Sequence, residues 1–245
     1  VYVVEENRPK MLSSFRFAAN SVFGDGYNFP PRSNGFVNTF KDDVLGKLQA
    51  NNQNDLITAF RSIESTDVST DVIAFFFSIA SNKAFKGKNV PIDFLEMLIK
   101  NDKLKYTFVV FYGAVLYYVA KMMNAKGLAL PQTLAFSGNG SKTLKVLSTD
   151  KATLAKFAQL VFEKVFGQKY NGTTLEVIYE DEPKLATCKG GISCKENLTY
   201  DQVDVLKTSL LGTDAETFTT GMHYDMIGKA EIDGVADSVS RFIDF

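Results

Sequence analysis

Hydrophobic and polar residues recur with two different periods along the chain, and each period predicts a different kind of element. Residues 1–4 and 10–17 have the pattern of two short strands. Residues 5–9 between them are polar and end in proline, which is typical of a turn. The N-terminal segment therefore predicts a β-hairpin.

Helical spacing dominates the first half of the chain after this hairpin. From residue 35 to 63, apolar residues recur every third or fourth position, with a polar break at residues 51–54. We expect one helix before the break and another at about residues 56–63. Further helices are predicted at residues 71–80, 91–99 and 106–125.

The second half of the chain alternates strands with a helix. Residues 133–137 and 175–179 predict strands, and residues 151–166 predict an amphipathic helix between them. The apolar face of this helix is predicted to consist of Leu154, Phe157, Ala158, Val161 and Val165. A last helix is predicted from residue 235 to 245. Helices interleaved with short strands indicate an α/β domain.

Composition and charge exclude several classes of function. The formal net charge is −1, so the chain lacks the basic footprint of a nucleic-acid-binding domain. The apolar core of the 106–125 segment extends over about fifteen residues, which is shorter than the roughly 20 that a membrane span needs. We therefore predict no nucleic-acid partner and no membrane span. The sequence begins with Val rather than Met and does not open with a signal peptide. We therefore also expect a piece of a longer protein.

The cysteines and the histidine offer little for a metal site. Cys188 and Cys194 have a spacing that fits no zinc pattern, and His223 is the single histidine. We expect two free thiols in a reducing, cytoplasmic compartment, with a disulfide as the alternative. His223 is interpreted as a surface or packed side chain. The acidic run at residues 180–182 is interpreted as a solvated turn, and Asp25 as part of a plain Gly-rich turn, with cation binding as the alternative for each.

One segment has the composition of a ligand-binding turn. The apolar strand at residues 133–137 is followed by Gly138-Asn139-Gly140-Ser141-Lys142. Glycines let backbone N–H groups approach a ligand, and a helix start favours anions. A P-loop is excluded, because no Gly stands at the required earlier position and Ser141 separates Gly140 from Lys142. A ligand-binding turn and a plain turn both remain open.

The order of elements around this turn resembles the second half of the actin, sugar-kinase and heat-shock-chaperone ATPase superfamily. In that family an apolar strand leads into Gly-Gly-x-Ser/Thr-Arg/Lys, and an acidic-Pro segment later leads into Ala-x-Gly-Ala. Here Gly138-Asn139-Gly140-Ser141-Lys142 and, later, Cys188-Lys189-Gly190-Gly191 stand at the matching places. Asn139 replaces the second Gly, and Cys188 and Gly191 replace Ala.

This resemblance implies a ribonuclease H-like, three-layer α/β domain with an inserted, mainly helical subdomain. Residues 1–34 and 104–245 would form the nucleotide-binding core, and residues 35–103 the insertion. ATP would be the cofactor, with the backbone at Gly138, Asn139 and Gly140 near the ribose and α-phosphate. Ser141 completes the motif, and Lys142 would lie against the adenine face.

The same resemblance implies that the chain holds only part of a site. The phosphate loops and any Mg²⁺ ligands would lie in the missing N-terminal half, so this chain alone is expected to hydrolyse nothing. The helical subdomain could present a surface to a protein partner. The implied function is a nucleotide-dependent conformational switch, chaperone-like or cytoskeletal. The alternative is an actin-like scaffold that has lost its nucleotide, and a sugar-kinase-like transferase is a weaker third hypothesis.

Overall fold

The computed structural model describes residues 1–6, 8–13, 22, 35–64, 94–137, 139–179, 199, 201–202 and 229–245. Its strands are β1 (Tyr2–Glu5), β2 (Arg8–Leu12), β3 (Thr133–Phe136) and β4 (Glu176–Tyr179). Its α-helices are α1 (Gly35–Ala50), α2 (Asn54–Glu64), α3 (Phe94–Lys100), α4 (Asp102–Ala125), α5 (Lys151–Phe166) and α6 (Lys229–Asp244). A 3-10 helix occupies Asn139–Val146.

The chain divides into two compact units. Unit 1 comprises Val1–Phe15, Tyr112–Asn139 and Asp150–Phe245, and unit 2 comprises Arg16–Phe111 and Gly140–Thr149. Helix α4 passes along the chain from unit 2 into unit 1. The boundaries at residues 34/35 and 103/104, like the ribonuclease H-like fold itself, stay predictions.

Strands β1 and β2 of unit 1 form the predicted hairpin, which is thereby confirmed. They pair antiparallel from Tyr2–Leu12 to Glu5–Arg8, and the register shifts between Val3 and Val4. The second strand begins earlier than predicted, because Pro9 lies within it, opposite Val4, rather than in the turn. A proline has no N–H to donate, and the shifted register beside it is where a ladder tolerates this loss.

The core of unit 1 lies between the second half of α4 and helix α5. Side chains from both helices form one cluster of buried residues, which also includes Leu175 before β4 and Met11 of β2. Helix α5 confirms the amphipathic pattern, with Leu154, Ala158 and Val161 buried as predicted. Phe157 and Val165 are only partly buried. Phe162 is fully buried on this face and was not among the predicted residues.

Unit 2 contains the helices predicted on either side of the break at residues 51–54. Buried residues recur at four-residue spacing on α1, namely Phe40, Val44 and Leu48, and Leu56 and Phe60 do the same on α2. In the α3–α4 connection, the side-chain oxygen of Asn101 accepts a hydrogen bond from Leu104 N–H, so α4 starts at Asp102. The helix predicted at residues 71–80 lies outside the described residues.

Glycines end two helices of unit 1. Gly127 has φ +67° after α4, and Leu128 N–H donates to the Met123 carbonyl at 3.0 Å, closing a Schellman motif. Gly167 has φ +65° and ends α5 in the same left-handed conformation. Gly127 thus ends the helix before β3, and Gly167 ends the helix before β4.

Candidate functional site

The predicted ligand-binding segment follows a parallel strand pair. Strands β3 and β4 pair in parallel, with Thr133 opposite Glu176 and Phe136 opposite Tyr179. Helix α5 lies between them in sequence, which makes a βαβ unit. Both strands therefore end at the same edge of the sheet. In open α/β sheets, ligands bind outside this carboxyl edge.

The segment after β3 forms a 3-10 helix rather than an α-helix. Asn139, Gly140, Ser141 and Lys142 are its first four residues, and Gly138 lies outside the described residues. Eight residues is long for this type of helix, which usually extends over one turn. By its geometry, the first N–H groups, those of Asn139 and Gly140, have no acceptor within the helix.

Several side chains of the 3-10 helix are buried. Because three residues make one turn, Ser141 and Leu144 lie on the same face, and they are 4 % and 3 % exposed. Val146 is also buried. The Ser141 side chain is therefore buried, so a ligand at this segment would meet backbone N–H groups rather than the Ser141 hydroxyl.

Asp150 closes the N-terminus of α5 with its own carboxylate. The carboxylate accepts hydrogen bonds from Ala152 N–H at 3.2 Å, Thr153 N–H at 2.9 Å and Thr153 Oγ1 at 2.7 Å. These bonds, led by that from the Thr153 hydroxyl, lower the pKa of Asp150 below its ordinary value. The N-terminus of α5 thus already holds an anion.

A cation and an aromatic ring meet at the carboxyl edge. The Nζ atom of Lys151, the first residue of α5, lies 4.8 Å from the centroid of the Tyr179 ring. Tyr179 is the last residue of β4 and is half-buried, whereas Lys151 is exposed. Such a geometry is a cation–π contact. Neither residue was predicted from the sequence, although the carboxyl-edge rule applied to residues 175–179 points to Tyr179.

The opposite end of α5 is fixed by Glu163. Its carboxylate accepts hydrogen bonds from Lys169 Nζ at 2.8 Å, Tyr170 N–H at 3.0 Å and Gln159 Nε2 at 3.2 Å. These donors, Lys169 first, lower the pKa of Glu163 to about 2. Tyr170 in turn donates its hydroxyl to the Pro131 carbonyl at 2.8 Å, which ties the α5–β4 connection to the segment before β3.

Unit 2 has an open groove between α1 and the α3–α4 connection. Its volume is about 840 Å³, and both signs of charge line it, including Asp42, Asp43, Lys47 and Lys103. Asn101 Nδ2 donates to Asp43 Oδ2 at 3.3 Å across it. The predicted partner surface of the helical subdomain stays a prediction.

Two further expectations concern metals and membranes. In the part of the chain that the structure describes, no three His, Cys, Asp or Glu residues cluster to hold a metal ion. Helix α4 is long and apolar enough to cross a membrane by length and composition, with a mean hydropathy of 1.3 over its best window. Of that window, 44 % is buried inside the structure. Neither observation tests the predicted absence of a span.

Several sequence-based interpretations fall on residues that the structure does not describe. These are the thiols Cys188 and Cys194, His223, the acidic run at 180–182, Asp25 and the second motif at 188–191. Of the two motifs that suggest the superfamily, the structure thus describes residues of the first only.

Comparison of the chain with protein-family models, with curated proteins and with solved structures gives no match. The resemblance to the actin-like ATPase superfamily accordingly stays a prediction from the residues.

Proposed function

We propose that this chain supplies the adenosine-binding side of an ATP cleft in a nucleotide-dependent conformational switch of the actin-like type. The proposal is supported by the order of the chain, because the Gly138–Lys142 segment follows β3 directly in the sequence, and β3 ends at the same edge of the sheet as β4. Ligands of open α/β sheets bind at this edge.

Backbone groups would make the main contacts to the nucleotide. The first N–H groups of the 3-10 helix, at Asn139 and Gly140, are donors that its own carbonyls do not use. Oriented N–H groups at a helix start suit the ribose oxygens and the α-phosphate. Lys142 would add its charge or its methylene stem against the base.

Phosphoryl transfer is assigned to other parts of the switch. The reaction needs a metal, several donors to the phosphates and a positioned nucleophile. The resemblance locates these groups, with any Mg²⁺, in the N-terminal half that is expected to precede this chain. ATP binding to residues 1–245 would therefore be weak and would lead to no hydrolysis.

Isothermal titration calorimetry of the full chain with ATP tests the proposal. We expect a Kd of roughly 1 mM, corresponding to about −4 kcal/mol, and a several-fold increase in Kd for Lys142→Ala. Gly140→Ala should also raise Kd, because its methyl group would stand where the nucleotide approaches the backbone.

Gly46→Ala is the matched control for the glycine variant. Gly46 lies within α1, and a Cβ there would meet no atom within 4 Å, so ATP affinity should be unchanged. Heats no larger than dilution at about ten times the expected Kd would overturn nucleotide binding. That result would leave the actin-like scaffold as the function to pursue.

A further inference from the structure

Three groups with different chemistry meet where β4 ends and α5 begins, all within unit 1. They are the Asp150 carboxylate, the Lys151 ammonium and the Tyr179 ring. Tyr179 is paired with Phe136, which precedes Gly138 by two residues. Gly138 is therefore two residues along the chain from the register partner of Tyr179.

The N-terminus of α5 is closed to phosphate. Helix N-termini beside the carboxyl edge commonly bind phosphate through their unpaired N–H groups and dipole. Here the Asp150 carboxylate already accepts the N–H groups of Ala152 and Thr153. A phosphate would have to displace this carboxylate and would meet its negative charge.

The Lys151–Tyr179 pair instead suits an uncharged aromatic base. An ammonium group donates hydrogen bonds only, and ring nitrogens such as purine N7 accept them. An aromatic side chain gives a base an apolar surface for edge or face contact. The two groups are close together, with Nζ 4.8 Å from the ring centroid.

We propose that Lys151 and Tyr179 form the base-binding subsite for a purine nucleoside, and that Asp150 orients the nucleotide with its phosphates away from α5. This inference rests on the proposed function, since it names the subsite that the base would use. Lys151 donates to a ring nitrogen, Tyr179 contacts the ring, and Asp150 acts on the phosphates only by repulsion.

Calorimetric titration of the full chain with adenosine, ATP and inorganic tripolyphosphate tests the proposal. Adenosine should bind measurably without any phosphate group, and tripolyphosphate should not bind measurably. Lys151→Ala should weaken adenosine binding about tenfold, the loss of one charged hydrogen bond. Tyr179→Leu should weaken it by a similar factor, whereas Tyr179→Phe should retain binding because the ring remains.

Two further variants control for charge and folding. Lys156→Ala removes another exposed lysine of α5 and should leave the adenosine Kd unchanged. Asp150→Ser keeps a capping hydroxyl but removes the charge, so it should tighten ATP binding several-fold relative to adenosine. Circular dichroism of each variant establishes that it is folded.

The outcomes separate this inference from the function on which it rests. If adenosine and ATP bind but Lys151→Ala and Tyr179→Leu leave both Kd values unchanged, the subsite is overturned and the proposed function stands. Tripolyphosphate binding as tight as that of ATP overturns the orientation. If the unaltered chain binds neither adenosine nor ATP, the proposed function and the subsite fall together.

Discussion

Phe136 and Tyr179 are register partners at the ends of two parallel strands, so both strands end at one edge of the sheet. The Phe136 ring faces inward, where it makes an edge contact with Tyr112 at 6.2 Å between centroids. The Tyr179 ring lies beneath the Lys151 ammonium. This relationship brings the end of β3, which the Gly138 motif follows in the sequence, beside a residue far from it in the chain.

Helix α5 packs against the core through one face. Substitution of a buried residue should therefore lower the free energy of unfolding far more than substitution of an exposed one. Phe162→Ala should lower the free energy of unfolding by about 3–5 kcal/mol, because it leaves a cavity in the core. Leu160 is 64 % exposed, and Leu160→Ala should cost less than about 0.5 kcal/mol. Urea unfolding measures both, and equal losses would contradict this orientation of the helix.

Glycine substitutions should act in opposite directions at two positions. Gly46→Ala should stabilise the chain by about 0.5–1 kcal/mol, since alanine is the better helix former and its methyl group has room. Gly167→Ala should destabilise by about 1 kcal/mol, because φ +65° strains any residue with a Cβ. Thermal unfolding followed by circular dichroism should show a higher Tm for the first variant and a lower Tm for the second. A rise in Tm for Gly167→Ala would contradict the left-handed cap.

The Glu163 contacts should make stability depend on acid pH. Lys169, Tyr170 and Gln159 lower the pKa of Glu163 from 4.5 to about 2 in the folded chain. A lowered folded-state pKa stabilises the fold above the unfolded-state value, and this stabilisation is lost as pH falls from about 4.5 to about 2. Glu163→Gln should lack that component, as Tm measured across this window would show. Parallel Tm curves for both proteins would contradict the assignment.

The pKa of Tyr170 should lie well above the ordinary value for tyrosine. Burial, followed by the nearby Glu163 charge, raises the pKa of Tyr170 to about 12. A raised folded-state pKa stabilises the fold below the unfolded-state value of 10, and this stabilisation is lost as pH rises towards 12. Absorbance titration should show a late ionisation that Tyr170→Phe removes. An unchanged late component in the variant would contradict the assignment.

Lysine substitutions in helix α4 should lower stability only where the replaced side chain is buried. Leu116 is 3 % exposed and Val110 is 53 % exposed. Leu116→Lys would bury a charge and should unfold the chain or lower its Tm severely, whereas Val110→Lys should change Tm by little. Size-exclusion chromatography with circular dichroism distinguishes the two variants. A strong effect at Val110 with none at Leu116 would contradict the packing.

Local periodicity was sufficient to predict most of the described elements, although individual buried residues and boundaries were missed. The α5 face was predicted from Leu154, Ala158 and Val161, which repeat at helical spacing. The prediction missed Phe162, although this residue follows Ala158 by four positions and lies on the same face of α5. The start of α4 depends on the Asn101 side chain, a local signal that the apolar pattern obscures.

The candidate site was predictable only in part. The Gly138–Lys142 segment follows from composition and strand order, but the 3-10 conformation does not. The Lys151–Tyr179 contact depends on parallel pairing between residues more than 40 positions apart, because Phe136 and Tyr179 become neighbours only in the sheet. Spacing along the sequence contains no information on that register.

Amide chemical shifts of the full ¹⁵N-labelled chain during an ATP titration test the central claim most directly. We predict that the amides of Gly138, Asn139 and Gly140 shift progressively and saturate at millimolar ATP, together with those of Lys151 and Tyr179. The amides of Gly46 and Lys169, which lie outside the proposed site, should stay unchanged. Absence of any shift at Gly138–Gly140 up to saturating millimolar ATP would contradict it.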